Sequence, residues 1–275
     1  MSSKFTIAFF FLFAFTFNCL PASAQYNTTL LGHIDYEQTV NDIWGYAANG
    51  HEYALLGTRT GTAIIEVTDP ANPTELFFVP GPNSLWRDMK VWGHHAYVTN
   101  ETDTGVHIFD LQYLPDSIQV TNWMGGMFQG QMRNLHRAHN IFIDENGIGY
   151  ILGSNVGVGG AVMIDLTVDP ENPPIVGIYN EHYCHDVFVR GDTLWTSEIY
   201  AGQFAVVNIT DKANPIVMAT QPTPFAFTHN CWLSDDGNTF ITTDEKSNAP
   251  IGIFDVSDIS DIKQIGEYRS NPGSG

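Results

Sequence analysis

The chain of 275 residues has 43% hydrophobic and only 15% charged residues, which excludes an extended, disordered protein. Eleven basic against thirty acidic residues give a net charge of −19, and we expect no nucleic-acid partner, because phosphate backbones bind to basic surfaces. Twenty-five glycines and fourteen prolines predict a protein with many turns.

The first predicted element is a secretory signal peptide at residues 1–24. Lys4 precedes a short apolar stretch, and a small-x-small cleavage site ends at Ala24. The stretch is short for a membrane span, although a retained N-terminal anchor is the alternative. We therefore expect a secreted or cell-surface protein with no membrane span after cleavage. Cys184 and Cys231 remain after cleavage, and the sequence leaves open whether they form a disulfide.

Residues 25–275 contain two short phrases that each occur five times. The first phrase is a hydrophobic pair followed by an acidic residue or Asn, and it leads in most copies into an Asp-x-x-Asn-Pro turn or a similar one. Its anchor residues are 44, 55, 43 and 47 residues apart: Glu66, Asp110, Asp165, Asn208 and Asp255. The second phrase begins each unit with Asp or Asn, at spacings of 46, 52, 46 and 44 residues: Asp42, Asp88, Asn140, Asp186 and Asn230. Two phrases with one shared period predict five copies of one structural unit.

Each unit contains short β-rich runs separated by turn residues, with no helical periodicity. In the fourth unit the runs are Asp186–Arg190, Thr193–Glu198, Phe204–Ile209 and Ile216–Thr220. Four antiparallel strands at this period are typical of one blade of a β-propeller. We therefore predict an all-β fold over residues 25–275, a β-propeller with five visible four-stranded blades. An open β-solenoid or a pair of β-sandwiches are the alternatives.

The ends of the repeat region bear on how many blades the full ring has. The run Leu30–Ile34 resembles the outermost strand of a blade, which in a closed ring completes the last blade. The sequence stops where another inner strand would begin, and we expect that it lacks one or more blades at the C-terminus. A closed five-bladed ring is the alternative. The longer spacing before the third unit predicts an inserted segment near 123–133.

The repeat resembles a known family. The pattern of two hydrophobic residues, Asp, hydrophobic, Ser/Thr, Asp-x-x-Asn-Pro is similar to the LVIVD repeat, and the stretches 64–73 and 206–215 keep its spacing with Glu66 and Asn208 at the first Asp position. With its His-Asn and His-Asp leads, the region from Leu30 to Ser270 resembles the choice-of-anchor B family of exported bacterial propeller proteins. The resemblance implies an exported β-propeller and carries no established activity. Members of that family typically end in a surface-anchoring segment, which this sequence does not show.

Three histidines share one position in successive units. The residue before each Asp or Asn lead is, in chain order, Asn41, Arg87, His139, His185 and His229. Counting across the hairpin turns brings His185 near Glu198, and His229 near Asp244 or Glu245. Imidazole and carboxylate groups are suitable ligands for zinc or another divalent ion. The predicted ligand- or metal-binding residues at the channel mouth are His139, His185, His229, Glu198 and Glu245.

Structural roles are the alternative for these residues and for the other repeated positions. A histidine hydrogen-bonded to a carboxylate is an ordinary structural pair, and Arg87 on the same ring disfavours a metal because it is a fixed cation. The repeated Asp and Asn residues are expected to hold turns and strand starts. Four tryptophans within the predicted strands are expected to pack in the core between blades: Trp44, Trp92, Trp195 and Trp232.

The sequence contains no nucleophile elbow, phosphate-binding loop or zinc-protease motif. Our first hypothesis is an exported β-propeller that acts as a non-catalytic binding or scaffold module for an unidentified protein or carbohydrate ligand. The alternative is a metal-dependent hydrolase or lactonase-type enzyme with its site at the channel mouth. Recognition of a carbohydrate or peptide by exposed aromatic side chains is a third hypothesis. The cofactor that is compatible with these hypotheses is a divalent metal ion.

Overall fold

The computed structural model describes residues 29–270. The signal peptide predicted at 1–24 and the last five residues lie outside the described residues. The described range contains strands and turns but no helix, and hence no helix that could cross a membrane. The strands are, in chain order, β1 (Val40–Ala48), β2 (His51–Thr58), β3 (Gly61–Glu66), β4 (Thr74–Pro80), β5 (Met89–Trp92), β6 (His95–Val98), β7 (Val106–Asp110), β8 (Gln119–Trp123), β9 (Gly125–Phe128), β10 (Gln131–Asn134), β11 (Asn140–Ile143), β12 (Ile148–Leu152), β13 (Ala161–Asp165), β14 (Ile175–Tyr179), β15 (Asp186–Arg190), β16 (Thr193–Glu198), β17 (Gln203–Asn208), β18 (Ile216–Pro222), β19 (Thr228–Leu233), β20 (Thr239–Asp244), β21 (Ile251–Asp255) and β22 (Lys263–Tyr268).

The unit Gly32–Gly275 is a β-propeller with five four-stranded antiparallel blades in its described part. Blade 1 is β1–β4, blade 2 is β5–β8, blade 3 is β11–β14, blade 4 is β15–β18 and blade 5 is β19–β22. In each blade the strands pair in chain order, and the first strand contacts the first strand of the next blade. The predicted fold class is confirmed, and the strands predicted for the fourth unit agree with β15–β18 to within two residues.

The repeated turn residues hold the strands together locally, as predicted. Asn49 and Gly50 both have positive φ, 54° and 81°, which is the backbone of the tight hairpin turn that matches the twist of β1 and β2. In the Asp-x-x-Asn-Pro turn of blade 1, the Asp69 carboxylate accepts hydrogen bonds from the Ala71 N–H at 3.1 Å and from Asn72 Nδ2 at 2.8 Å. The turn aspartates are therefore structural.

Large apolar side chains pack between neighbouring blades. Between blades 4 and 5, Trp195 is 4% exposed and its ring stacks on Phe240 with the centroids 4.6 Å apart. Phe204 and Phe254 are fully buried in the same cluster. Each such side chain stabilises the fold by about 1.5–3 kcal/mol relative to an exposed position, so the interfaces between blades are where the core lies.

The insertion predicted near 123–133 forms a hairpin, β9–β10, between blades 2 and 3. Gly125 begins this hairpin with φ +101°, and a Cβ at this position would lie 1.9 Å from the carbonyl oxygen of Arg133. Only glycine fits there. Just before it, at the end of β8, the buried Trp123 donates a hydrogen bond from Nε1 to the carbonyl of Pro173, at 3.1 Å, and so joins blade 2 to blade 3.

The structure bears on one expectation and on one question that the sequence left open. The run Leu30–Ile34, which resembles the outermost strand of a blade, is not a strand, and blade 5 has its own outer strand β22, which pairs with β21. The open question of a disulfide is also answered, because Cys184 and Cys231 are both buried free thiols. Each cysteine belongs to a different apolar cluster, and both therefore act as small core residues.

Candidate metal and ligand site in the central channel

A cavity of about 880 Å³ lies among the first strands of all five blades. The repeated Asp and Asn residues line it, since they occupy one position at or next to the start of each innermost strand: Asp42, Asp88, Asn140, Asp186 and Asn230. Some of them also connect blades, as expected for a structural role. The Met89 N–H donates to the carboxylate of Asp42, and Asn230 Nδ2 donates to the carboxylate of Asp186. These residues therefore combine a structural role with a position on the channel wall.

The next inward-facing position adds aromatic rings and one lysine to the same wall. Because side chains alternate along a strand, the residue two positions after each Asp or Asn faces the same side. Trp44 and Trp232 lie there, and they are 40% and 57% exposed. The prediction that both pack in the core was wrong, whereas Trp195 is buried as expected. Lys90 Nζ lies 4.4 Å from the Trp44 ring centroid.

The three histidines expected at the mouth lie side by side on the cavity wall. The ring centroids of His139 and His185 are 4.1 Å apart, and those of His185 and His229 are 4.2 Å apart. The strands that carry them, or that follow them directly, are the innermost strands of blades 3, 4 and 5, so neighbouring blades bring their imidazoles together. Burial and the two neighbouring imidazoles lower the pKa of His185 to about 3. Its ring is therefore neutral at pH 7, with a lone pair available.

The hydrogen bonds of these rings determine where their protons lie. His139 Nδ1 lies 2.8 Å from the Glu101 carboxylate, and His185 Nδ1 lies 3.0 Å from the carbonyl oxygen of His229. A carbonyl or an ionised carboxylate only accepts hydrogen bonds, so each Nδ1 carries the proton. The Nε2 atoms of His139 and His185 then face each other at 2.8 Å. Two neutral rings in these tautomers would place two lone pairs against each other, which requires a cation or an extra proton between them.

Glu245 completes a group of possible metal ligands. One ligand atom from each of His185, His229 and Glu245 lies within 4.8 Å of the other two. The Glu245 carboxylate is exposed, and its charge raises the pKa of His229 against the larger lowering by burial. Together with the adjacent Nε2 of His139, the mouth offers three imidazoles and one carboxylate, which is a ligand set typical of zinc.

The position predicted for Glu198 needs correction. The hairpin count was right for the backbone, since the His185 N–H donates to the Ser197 carbonyl at 2.9 Å. The Glu198 side chain, however, is fully buried on the other face of the strand, where it accepts hydrogen bonds from Tyr179 at 2.6 Å and from Gln203 at 2.8 Å. The strand pleat directs it away from the channel, so Glu198 does not belong to the mouth group.

Arg87 also differs from its expected role as a cation at the mouth. Its side chain is 1% exposed, and its guanidinium donates to the backbone carbonyls of Thr58, at 2.8 Å, and Pro82. Burial lowers the pKa of Arg87 to about 10. The guanidinium therefore serves to satisfy buried carbonyl groups, and it leaves Glu101 to pair with His139.

The carboxylates of the channel have unusual protonation. Burial, with a smaller contribution from the charge of Asp42, raises the pKa of Asp88 to about 6, although Lys90 Nζ lies 2.9 Å from it. Burial and the charge of Asp88 raise the pKa of Asp186 to about 7. Perturbed groups of this kind cluster at functional sites more often than elsewhere.

Aromatic side chains that sequence reasoning did not assign to the site surround its opening. Tyr200 is 74% exposed and packs against Tyr183, with the centroids 5.1 Å apart, and against Phe227 at 6.2 Å. Trp86 is 53% exposed on the same cavity. All four lie in connections outside the strands, where no repeat period marks them. Of these four residues, the sequence offers a reason to expect only Trp86 at the site, because it directly precedes the repeated position that Arg87 occupies.

The sequence matches no protein-family model and no curated protein sequence. Its structure is similar to those of β-propellers with little sequence identity. A protein of unknown function from Desulfotomaculum acetoxidans has a TM-score of 0.60 at 11% identity, over 88% of this chain and 72% of that one. A candidate 6-phosphogluconolactonase from Bacteroides uniformis has a TM-score of 0.57 at 14% identity, over 80% and 68%. The Cps50 (Swd1) β-propeller domain of Myceliophteria thermophila has a TM-score of 0.52 at 10% identity, over 83% and 75%. These similarities establish the fold class alone.

Proposed function

We propose that the channel mouth binds a divalent transition-metal ion through His139, His185, His229 and Glu245. The observation that carries this proposal is the 2.8 Å approach of two Nε2 atoms whose protons are both required on Nδ1. Two nitrogens that bind one tetrahedral zinc ion at 2.0–2.1 Å are about 3.3 Å apart. A ring movement of about half an ångström is thus sufficient for both to become ligands.

The groups behind the ligands support the same proposal. Metal-bound histidines usually donate their second N–H to a carboxylate or a backbone carbonyl, which fixes the tautomer and orients the ring. His139 has the Glu101 carboxylate in this position, and His185 has the carbonyl of His229. These partners hold the two lone pairs toward the cavity before any ion arrives.

The bound ion would serve to bind a small polar ligand in the channel, and the protein would act as a non-catalytic binding module. The cavity of about 880 Å³ is of the size that small molecules occupy in proteins. Its charged wall is mostly acidic, and its two basic side chains already have partners: Arg87 with carbonyls and Lys90 with Asp88. This wall favours a neutral or cationic ligand over a phosphorylated one, and the rim of tyrosines suits a carbohydrate or an organic amine.

Metal titration of chelator-treated protein tests the proposal. We expect saturable zinc binding at the mouth, and we expect the variant His185→Ala/His229→Ala to lose one zinc equivalent per chain. The matched control is His136→Ala, which removes an exposed imidazole that lies 3.6 Å from Asp103, and it should bind as much zinc as the wild type. Equal zinc content in the wild type and the double variant would refute the site. So would nitrogen NMR signals that show His139 as a doubly protonated imidazolium in the zinc-saturated protein.

A metal-dependent hydrolase is the second candidate. The observation that favours it is that the carboxylates of Asp88 and Asp186 share the cavity with the proposed ion, so that acid–base groups and a Lewis acid would face one ligand. A panel of lactones and activated esters, assayed with zinc, tests this candidate. Turnover that disappears in His185→Ala/His229→Ala and in Asp186→Asn would support it. An inactive zinc-loaded protein would leave binding as the function.

We also propose that the protein is exported and that it belongs with the choice-of-anchor B propellers. The support is the leader predicted at 1–24 together with the LVIVD-like repeat over 30–270. Expression of the full sequence in a bacterial host, followed by N-terminal sequencing of the exported product, tests the export. We expect the mature chain to begin at Gln25. Retention of an uncleaved chain in the cytoplasm would contradict the export proposal.

A further inference from the structure

A second cluster of possible metal ligands lies outside the channel, at one end of blade 2. His94 is in the turn between β5 and β6, His95 is the first residue of β6, and Asp110 is the last residue of β7. His95 and Asp110 are paired across the two strands, and the Leu111 N–H donates to the carbonyl of His94 at 2.8 Å, which fixes the turn. One ligand atom from each of His94, His95 and Asp110 lies within 4.8 Å of the other two.

The distances within this cluster fit an ion better than hydrogen bonds. His94 Nε2 lies 3.8 Å from Asp110 Oδ1, and His95 Nε2 lies 3.9 Å from Glu171 Oε1. Hydrogen bonds between such atoms are about 2.7–3.2 Å long. Two ligands of one tetrahedral zinc ion, each about 2.0–2.2 Å from it, lie about 3.3–3.6 Å apart. The gaps are therefore too wide for hydrogen bonds, and a movement of about half an ångström in each pair would bring both atoms within reach of one ion.

The fourth side chain comes from the next blade, on a turn whose backbone is held in place. Glu171 lies in the turn between β13 and β14 of blade 3. The hydroxyl of the buried Tyr97 donates to the carbonyl of Pro170 at 2.9 Å, on one side of Glu171. Trp123 Nε1 donates to the carbonyl of Pro173 at 3.1 Å, on the other side. Because blade 2 holds the backbone of this turn at two points, only the side chain of Glu171 has to be ordered when an ion binds.

We propose that His94, His95 and Asp110, with Glu171 from blade 3, bind a second divalent transition-metal ion that joins blades 2 and 3. Two imidazoles with carboxylates suit zinc and its neighbours in the first transition row, whereas calcium and magnesium prefer sites made of oxygen atoms alone. His95 is 5% exposed and Asp110 is partly buried, so the ion would lie at the edge of the interface between blades.

Blade 1 provides a built-in comparison. His51 is the first residue of β2, as His95 is of β6, and it also has a carboxylate neighbour. There, however, His51 Nδ1 lies 2.6 Å from Glu66 Oε1, which is a direct hydrogen bond that leaves no room for an ion. The same hairpin position thus carries a closed pair in blade 1 and an open group in blade 2. His51→Ala is the matched control for substitutions in the open group.

The experiment uses zinc as the probe and begins from His185→Ala/His229→Ala, so that the channel mouth does not contribute. We expect this protein to bind one zinc equivalent and to gain about 5 °C or more in Tm at saturating zinc. Adding His94→Gln and Glu171→Gln should abolish both effects. Both residues are well exposed, with side-chain accessibilities of 44% and 46%, so the added changes should leave the fold intact. Adding His51→Ala instead should leave both effects in place.

Three results would overturn the proposal. The first is that the channel-mouth variant binds no zinc at all. The second is that His94→Gln/Glu171→Gln retains full zinc binding in that background, with the β-sheet circular dichroism of the parent. The third is that His51→Ala removes the zinc as effectively as the other pair does. None of these outcomes tests the channel site. That site is tested separately, by comparing the zinc content of the wild type with that of His185→Ala/His229→Ala.

Discussion

Replacing His107 with valine should make the folded protein less sensitive to acid. His107 is 6% exposed within β7, and its Nε2 lies 2.7 Å from the hydroxyl of Thr104. Burial and the positive charge of Arg87 lower the pKa of His107 from 6.5 to about 4. In the unfolded chain the His107 imidazole therefore takes up a proton below about pH 6.5, whereas in the folded chain it does so only below about pH 4. The stability that depends on this neutral ring is present above pH 6.5 and is lost as the pH falls toward 4.

The magnitude follows from these two pKa values. Between pH 7 and pH 5 the difference in proton uptake amounts to about 2 kcal/mol of unfolding free energy, and complete titration would amount to about 3 kcal/mol. Valine is a suitable replacement because Val162 stands at the corresponding position of blade 3, where it is 1% exposed in the core. The substitution creates some empty space in blade 2, so the absolute stability at pH 7 should fall, while its dependence on pH weakens.

Urea unfolding at pH 7 and pH 5 measures the effect. The quantity of interest is the change in unfolding free energy between the two pH values, compared between wild type and His107→Val, since this difference removes the contributions of all other titrating groups. We expect the wild type to lose about 2 kcal/mol more than the variant. His136→Val, which removes an exposed histidine, is the matched control. If the variant and the wild type lose the same free energy, His107 is not held neutral by burial and the reasoning fails.

Three further predictions concern other buried groups. In chelator-treated protein, Asp186→Asn should raise the unfolding free energy by about 4 kcal/mol at pH 8 and by less than about 1 kcal/mol near pH 4, because the raised pKa of about 7 penalises the folded carboxylate only at higher pH. Blade 3 already carries Asn140 at this position. An equal effect at both pH values would contradict this reasoning. A thiol reagent should modify Cys184 and Cys231 only upon unfolding, since both are buried and burial raises the pKa of both thiols, and immediate reaction of the native protein would be the contrary result. Trp123→Phe should lower the urea unfolding free energy by about 1 kcal/mol through loss of one buried hydrogen bond, and an unchanged midpoint would show that this bond contributes nothing.

The sequence was sufficient to predict the blades because the signals involved are local. Strand alternation, turn residues and a period near 45 each depend on residues close in the chain, and β15 and β16 begin and end where the pattern predicts. The alternation rule also contained information about the tryptophans. Trp44 and Trp232 follow channel-facing positions by two residues, so their exposure on the channel wall was available from the sequence once Asp42 and Asn230 were assigned to that wall.

The site could be predicted only in part because its geometry depends on how separate blades pack together. Grouping His139, His185 and His229 required only their shared position, but the approach of two Nε2 atoms to 2.8 Å depends on the distance between blades 3 and 4. The prediction for Glu198 was wrong because His185 precedes β15, where strand alternation does not apply, so pairing of its backbone with the end of β16 does not put the two side chains on one face. The burial of the Arg87 guanidinium, which is a tertiary effect, leaves Glu101 to pair with His139.

The modular origin of the channel mouth has a consequence for how such a site changes during evolution. Each blade contributes one side chain from the same register position, and in this chain the five contributions are Asn41, Arg87, His139, His185 and His229. Because that position lies at or just before the start of the innermost strand, its side chain can be exchanged with less effect on the hydrophobic interfaces than a residue at the centre of the strand. Duplication or recombination of whole blades would therefore shuffle ligand sets as discrete units. A propeller of this kind can acquire or lose an ion by exchange of one repeat, with the remaining blades serving as an unchanged frame.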